Sequence, residues 1–350
     1  MRILLVSHPS LANESGAAQV ALSLAAALGE RGHDVCAWSP EPLPSTTRWW
    51  NRWRAQRRAI ERFVATEGPF DVIDAPAISI SPALSRSARQ ARIVARSTQP
   101  ELLYLKQELG AQLRRRPSPR LPLHALHSGV LAAAIVRGWK RSHLILCQGA
   151  LELDWMSRRF PALRSRLRRL VLAPPAAERE SLAAVRRRRA SRQGAGTRFL
   201  WIGRWTPHKG TDRLVRFLRE HAATHPEDTF TIAGSGPAAE RDVPSGLLRE
   251  GRVRVVRSFS RAELPGLLET HDAGLFTSEV EGWGLCLNEM LEAGLRVYAT
   301  PAGGVVDLAP FWGDRLRSFP PPPQPEPAGA PPDLAGYLAE FSWATIARRY

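Results

Sequence analysis

The stretch TRFLWIGRWTPHKGTDRLVRFLREHAATHPEDTFTIAG, residues 197–234, decides the reading of the fold. TRFLWIG (197–203) is a short buried strand, TDRLVRFLREHAATH (211–225) carries apolar residues at helical spacing, and DTFTIAG (228–234) is a second strand. Strand, loop, helix, strand is one turn of a parallel α/β unit. The alternation runs on: RVRVVR (252–257), AGLFTS (273–278) and RVYAT (296–300) read as strands, RAELPGLLETH (261–271) and GLCLNEMLEAG (284–294) as helices.

The chain opens the same way, with a strand at RILLVS (2–7), a helix at AAQVALSLAAAL (17–28) and a strand at HDVCAW (33–38). A helix near 52–66, strands at FDVID (70–74), RIVAR (92–96) and HLILC (143–147), and an apolar helix at 126–139 follow less regularly. Between them lies an Arg-rich tract that ends in small and polar residues, SLAAVRRRRASRQGAG (181–196). The expected organisation is therefore a Rossmann-like domain over 1–175, an Arg-rich linker over 176–197 and a second Rossmann-like domain over 198–332. A final helix follows over 333–350. PPPPQPEPAGAPP (320–332) is read as a stiff surface connection, because proline lacks a backbone donor. Two such domains face each other across a cleft, and ligands bind at the carboxyl ends of the strands.

The chain has 350 residues, 44% of them apolar and 23% charged, which excludes a fibre or a disordered tail. No apolar run reaches the ~18 residues of a membrane span, and the amino terminus shows no secretory-signal pattern. Three scattered cysteines, Cys36, Cys147 and Cys286, fit a reducing, cytoplasmic setting better than a disulfide framework. Residues 1–200 hold 33 basic and 14 acidic side chains, and the remainder 16 and 19. This surplus suits either a solvated arginine-biased surface, with runs at Arg114–Arg116 and Arg186–Arg189, or attachment to an anionic membrane surface. RWWNRWR (48–54) has the look of an interfacial anchor, with core packing of its tryptophans as the alternative. No nucleic-acid motif accompanies the charge.

The chemistry concentrates in the second domain. Arg204 follows a strand, and Lys209 and Gly210 stand at a helix start; Lys209 is the only lysine beyond residue 140. Two cations beside free helix amides can hold phosphates, or can be plain solvated cations. Gly234-Ser235-Gly236 either permits close approach of a ligand or is an ordinary turn. In SEVEGWGLCLNEMLEAG (278–294), Glu281 precedes a helix and Glu289 lies about a turn and a half inside it. Donor amides and acceptor carboxylates together suit a nucleotide sugar; an acidic helix start stabilised by its dipole is the alternative.

Taken in order, Gly203-Arg204, Lys209-Gly210, Gly234-Ser235-Gly236, EGWGLCLNE from Glu281 to Glu289, AGLRV (293–297) and TPAGGVVD (300–307) resemble the motifs of the retaining GT-B glycosyltransferases of family 4. The loop with Gly16, ALGERGHDV (27–35) and FSWATIARRY (341–350) extend the resemblance, the last to a helix that returns to the first domain. The resemblance implies that Arg204 and Lys209 clamp the diphosphate, that Glu289 holds the ribose and that Glu281 orients the donor sugar. It gives Gly234, Gly236, the Gly282, Trp283, Gly284 and Leu285 backbone, and the Gly303-Gly304 loop to the nucleotide-sugar pocket, with Gly16 approaching from the first domain. The implied reaction is a metal-independent, retaining, front-side transfer to a hydroxyl acceptor, lipid-linked or polysaccharide, with no cofactor beyond the donor. Many members carry a histidine where this chain has Thr98; His8, His124 and His127 are the other imidazoles near that end. A catalytically silent sugar-nucleotide-binding subunit is the alternative function. A dinucleotide oxidoreductase is disfavoured, since SHPSLANESGAAQV (7–20) lacks the G-x-G-x-x-G turn.

Overall fold

Near-continuous apolar runs such as RILLV (2–6) and RFLWI (198–202) suit parallel strands covered on both faces. A computed structural model, which describes residues 1–12, 15–114, 119, 121–189, 196–322 and 332–350, places them in two six-stranded sheets, every pairing parallel. The chain divides into one unit of residues 1–172 with 341–350 and another of residues 173–340.

In the first unit the strands are β1 (Arg2–Val6), β2 (Asp34–Trp38), β3 (Val72–Ala75), β4 (Arg92–Arg96), β5 (Leu144–Gln148) and β6 (Leu167–Leu170), in the order β2-β1-β3-β4-β5-β6. The helices are α1 (Gly16–Gly29), α2 (Arg52–Glu67), α3 (Pro82–Ser87), α4 (Glu101–Arg114), α5 (Leu121–Arg141) and α6 (Gly149–Arg159). One sheet face is apolar at every second residue, Leu4 and Val6, Ile73 and Ala75, Ile93 and Ala95, and it packs on Ile60, Leu84, Ile135 and Met156 of α2, α3, α5 and α6. On the other face, Arg96 Nε donates to Asp74 Oδ1 at 2.9 Å and Arg96 Nη2 to the Val6 carbonyl at 3.1 Å. Both side chains are fully buried.

Helix α5 approaches the turn at 77–79 so closely that a Cβ on Gly138 would stand 1.9 Å from the Ala77 carbonyl oxygen. Gly→Ala inside a helix ordinarily gains ~1 kcal/mol. Here the backbone contact reverses the sign, and Gly138→Ala is expected to cost about 1–3 kcal/mol as overpacking does. Denaturant melts check this: an unchanged or raised midpoint would count against the close approach.

In the second unit the strands are β7 (Arg198–Ile202), β8 (Thr229–Ala233), β9 (Val253–Val256), β10 (Ala273–Phe276), β11 (Arg296–Ala299) and β12 (Leu316–Ser318). Their order, β12-β11-β10-β7-β8-β9, is the Rossmann order, in which the chain switches direction between β7 and β10. The helices are α7 (Ala176–Arg188), α8 (Thr211–Thr224), α9 (Ala239–Asp242), α10 (Ser245–Arg249), α11 (Leu264–Glu269), α12 (Leu285–Glu292), α13 (Val305–Trp312) and α14 (Leu334–Glu340). The last helix, α15 (Trp343–Arg349), belongs to the first unit. Its neighbour Tyr350 donates its hydroxyl to Asp74 Oδ2 at 2.6 Å.

Three expectations are corrected. The 176–197 stretch is not a linker over its first part: 176–188 form α7, which buries Leu182 and Val185, while 190–195 lie outside the described residues. Nor is Arg186–Arg189 a wholly solvated run: Arg187 and Arg188 are exposed, but Arg186 and Arg189 are half-buried against the second unit's own backbone. Arg186 Nη1 donates to the Glu292 carbonyl at 2.8 Å, Arg189 Nε to the Ala293 carbonyl at 3.2 Å, and Arg188 pairs with Glu269 at 2.8 Å. Positive side chains satisfy carbonyls left open at a helix end, which a composition count cannot register. Finally, 333–350 is two helices rather than one, because Ser342 caps α15 through the Thr345 amide and restarts the chain. Arg115, Arg116 and most of the proline-rich segment (323–331) lie outside the described residues. Among the described residues no helix is long and apolar enough to cross a membrane.

Candidate donor site of the second unit

The loops after β7 and β10 flank the switch point, and they interlock. Gly210 takes φ +69°, and a Cβ there would lie 1.9 Å from the Thr277 carbonyl oxygen, so glycine lets the two loops touch. Thr277 Oγ1 donates to the Lys209 carbonyl at 2.8 Å and accepts from Trp201 Nε1 at 3.0 Å. The Glu279 amide donates to the His208 carbonyl at 2.8 Å. This bracing brings the Lys209 ammonium onto the Glu281 carboxylate, which also accepts from Ser278 Oγ at 3.1 Å.

The pair is charged. Burial works against the Lys209 ammonium, but Glu281 beside it holds Lys209 above its ordinary value. Burial likewise works against the Glu281 carboxylate, and Lys209 with Ser278 overcomes it, holding Glu281 below the usual range. Burial, then Lys209, pushes the neighbouring His208 imidazole down to about 4, so it is neutral at physiological pH. Arg204 is exposed at the same loop and makes no ion pair among the described residues.

Glu289 lies inside α12, where its spacing puts it. It is buried, and its Oε1 accepts from Arg261 Nη2 at 2.7 Å; the same guanidinium binds Glu178 of α7. Burial pushes Glu289 above its ordinary value by more than Arg261 pulls it down. Arg261 is the residue that sequence reasoning missed. Its only local signal is the Ser260–Glu263 capping box that starts the turn before α11.

The glycine positions form the frame. Gly284, at φ +84°, caps α12 with its would-be Cβ 2.7 Å from the Phe276 ring. The Gly304 amide donates to the Trp283 carbonyl at 2.9 Å, so the 303–304 loop is tied to the start of α12. Gly282 is buried there and Leu285 opens the helix. The Trp283 indole is buried and donates to Asn288 Oδ1 at 2.7 Å, leaving only its backbone for a ligand. From Asn288 a chain of hydrogen bonds runs through Tyr337 of α14 to Glu292, which Arg179 of α7 also holds at 2.9 Å. Gly234 and Gly236, at φ +76° and +64°, turn the loop after β8.

Gly16 is in the first unit, where it opens α1 behind the Ser15 cap. At that unit's own switch point, His8 Nε2 meets Ser79 Oγ at 2.7 Å, and burial pushes the imidazole down to about 4. Thr98 lies half-buried after β4, beside Ser97, whose hydroxyl donates to Glu152 Oε1 at 2.7 Å. Burial, then Glu152, pushes the half-buried Glu101 up to about 8, and burial pushes Glu152 up to about 7. Unfolded, each would titrate near ~4.3. A carboxyl raised in the fold stabilises it when protonated, so this contribution is whole below pH ~4 and is lost as pH climbs to 8. Glu101→Gln, at a group with no hydrogen bond among the described residues, is expected to flatten the slope. The variant should melt higher than the parent at pH 8.5 and alike at pH 4; equal shifts at both would contradict the assignment.

Residues 196–310 match the family described as glycosyl transferases group 1. The phosphatidylinositol N-acetylglucosaminyltransferase GPI3 subunit of Saccharomyces cerevisiae is 30% identical over 112 residues, 31% of this chain and 25% of that protein. The uncharacterized glycosyltransferase YqgM of Bacillus subtilis is 27% identical over 115 residues, 32% of each chain. This chain thus spans about a quarter to a third of those curated relatives. Among solved structures, sucrose-phosphate synthase of Thermosynechococcus elongatus superposes with a TM-score of 0.62 at 16% identity, covering 99% of this chain and 92% of that one. WaaG, a glycosyltransferase involved in lipopolysaccharide biosynthesis, superposes with a TM-score of 0.60 at 15% identity, covering 100% and 95%. The fold is GT-B, and the chain is related to the GT4-like glycosyltransferases.

Proposed function

We propose, from that relation, that the chain moves a sugar from a nucleotide-sugar donor to a hydroxyl acceptor with retention at the anomeric carbon. The observation that carries this reading is the Lys209–Glu281 pair at the β7/β10 switch point, with Arg204 exposed beside it. In this reading Lys209 and Arg204 take the diphosphate, and the α12 amides after Gly284 add donors. Glu281, kept ionised by Lys209, accepts from the donor-sugar hydroxyls. Glu289 takes the ribose hydroxyls while Arg261 fixes its carboxylate. The bond from the anomeric carbon to the phosphate oxygen breaks as the acceptor oxygen bonds that carbon on the same face, and the acceptor proton passes to the leaving phosphate. Among the described residues no cluster of three or more His, Cys, Asp or Glu is set to hold a metal, and the clamp's cations carry the leaving-group charge.

Incubation with a panel of nucleotide sugars, with and without lipid-linked and glycan acceptors, tests this. Acceptor-dependent release of nucleoside diphosphate is expected. Tight binding without turnover on any acceptor would favour the silent subunit, which Thr98 in the common histidine position also suits.

The acceptor we favour is lipid-linked, with the protein peripheral at a membrane's cytoplasmic face. In the first unit Trp49 is 56% exposed, Leu123 and Leu126 each 67%, and Trp49 stacks on His124 at 5.3 Å, on the same helix that carries the two leucines. Arg48 lies over the Trp50 ring at 5.2 Å, and Arg52 and Arg54 flank it. Apolar side chains rimmed by arginine suit an anionic interface. Sedimentation with anionic vesicles is expected to fall as salt rises, and a Trp49→Ser/Leu126→Ser variant is expected to lose most of it. Equal binding to neutral vesicles would speak against this surface.

A further inference from the structure

At the amino end of the first unit's sheet, on the face opposite its apolar core, the covering helices stop short. Between α1, α15 and the starts of β1, β3, β4 and β5 lies a cavity of about 450 Å³, within the roughly 300–1,000 Å³ of small-molecule sites. Ile3, Val72, Val94 and Leu144 form its floor. Arg31, Arg92 and Arg348 stand at its exposed rim. None of the three makes an ion pair among the described residues; Arg348 reaches only Thr345 Oγ1, at 3.5 Å. Arg2 close by is matched differently, its side chain 3.5 Å from Asp34 and its amide 2.7 Å from Asp71. An apolar floor under three uncompensated guanidinium groups selects a ligand with two halves.

We propose that this cavity binds a single-chain anionic amphiphile, its aliphatic part over Ile3, Val72, Val94 and Leu144 and its phosphate or carboxylate head on Arg31, Arg92 and Arg348. Guanidinium forks match either head bidentately. The site stands at the end of the sheet away from the carboxyl-edge loops that carry His8 and Thr98, so it is independent of the donor reading. Tyr350 also lines it, with its hydroxyl on Asp74, so an occupant packs against the residue that completes the buried Asp74–Arg96 pair.

The test is calorimetric titration of the full chain with decyl phosphate below its micelle concentration, beside inorganic phosphate, decyl maltoside and decyltrimethylammonium. One-to-one binding of decyl phosphate is expected, with each comparator at least tenfold weaker. Arg31→Glu/Arg348→Glu, both at exposed positions, should weaken decyl phosphate at least tenfold, whereas Arg216→Glu/Arg219→Glu in the second unit should not. Comparable binding of decyl maltoside or the cationic chain would overturn the head-group assignment, and comparable binding of inorganic phosphate would overturn the apolar one. Absence of one-to-one binding, or equal losses in both charge-reversal variants, would overturn the site itself.

Discussion

Lys209→Ala is expected to lower acceptor-dependent transfer by about 10²–10³-fold, the effect of removing one preorganised donor from a site of developing charge. Two losses coincide in this variant. The diphosphate loses an ammonium whose charge is held by Glu281, and Glu281 loses the cation that keeps it ionised despite burial. Its carboxyl then rises, and a protonated Glu281 accepts sugar hydroxyls poorly. A second signature follows: the residual activity should increase with pH over a range where the parent is flat. Lys209→Arg should recover little, because a planar fork does not reproduce a compact ammonium in a half-buried slot. Steady-state rates for the three proteins over pH 5.5–9 are the measurement, and near-parental turnover in Lys209→Ala would remove the phosphate assignment.

Asp74→Ala is expected to destabilise the first unit by ~3–5 kcal/mol, the cost of leaving a buried charge without its partner. Arg96 would then have only the Val6 carbonyl, and the Tyr350 hydroxyl would lose its acceptor. At ~2–4 °C per kcal/mol for units of this size, the melting point should fall by roughly 6–20 °C. Asp74→Asn keeps an acceptor oxygen and should lose less. Asp74→Leu/Arg96→Met should recover much of the loss, since an apolar pair can replace a buried ion pair almost neutrally. Thermal melts of the set decide this; a double variant as unstable as Asp74→Ala would show that the pair is needed for more than charge balance.

The strands were legible because burial on both faces writes them as apolar runs: RILLV, RFLWI and AGLF need no partner to be recognised. Helix α7 was not, since its burial rests on Leu182 and Val185 alone, and its arginines find carbonyls more than a hundred residues away. The site divides along the same line. Lys209 and Glu281 could be placed on loops from sequence, yet their contact depends on β7 lying beside β10, a fact of strand order. Arg261 escaped notice because nothing near it in sequence announces Glu178 or Glu289. The resemblance gives the pocket only the Trp283 backbone, and Asn288, five residues on in the same EGWGLCLNE stretch, is what takes the indole into the core.

The two arginines that close the carbonyl end of α12 act on its other end too. Helix α12 is a short dipole with its amide pole beside Gly284 and its carbonyl pole at Glu292 and Ala293. In an isolated helix each pole partly cancels the potential of the other. With Arg186 and Arg189 on Glu292 and Ala293, the negative pole is neutralised at contact distance, so the positive pole acts more nearly as a lone partial charge. Both contacts are partly buried, where mobile ions screen weakly. The Arg-rich stretch that looks in sequence like a coat for the molecule's exterior thereby works as a counter-electrode, lending its field to a helix start it never touches.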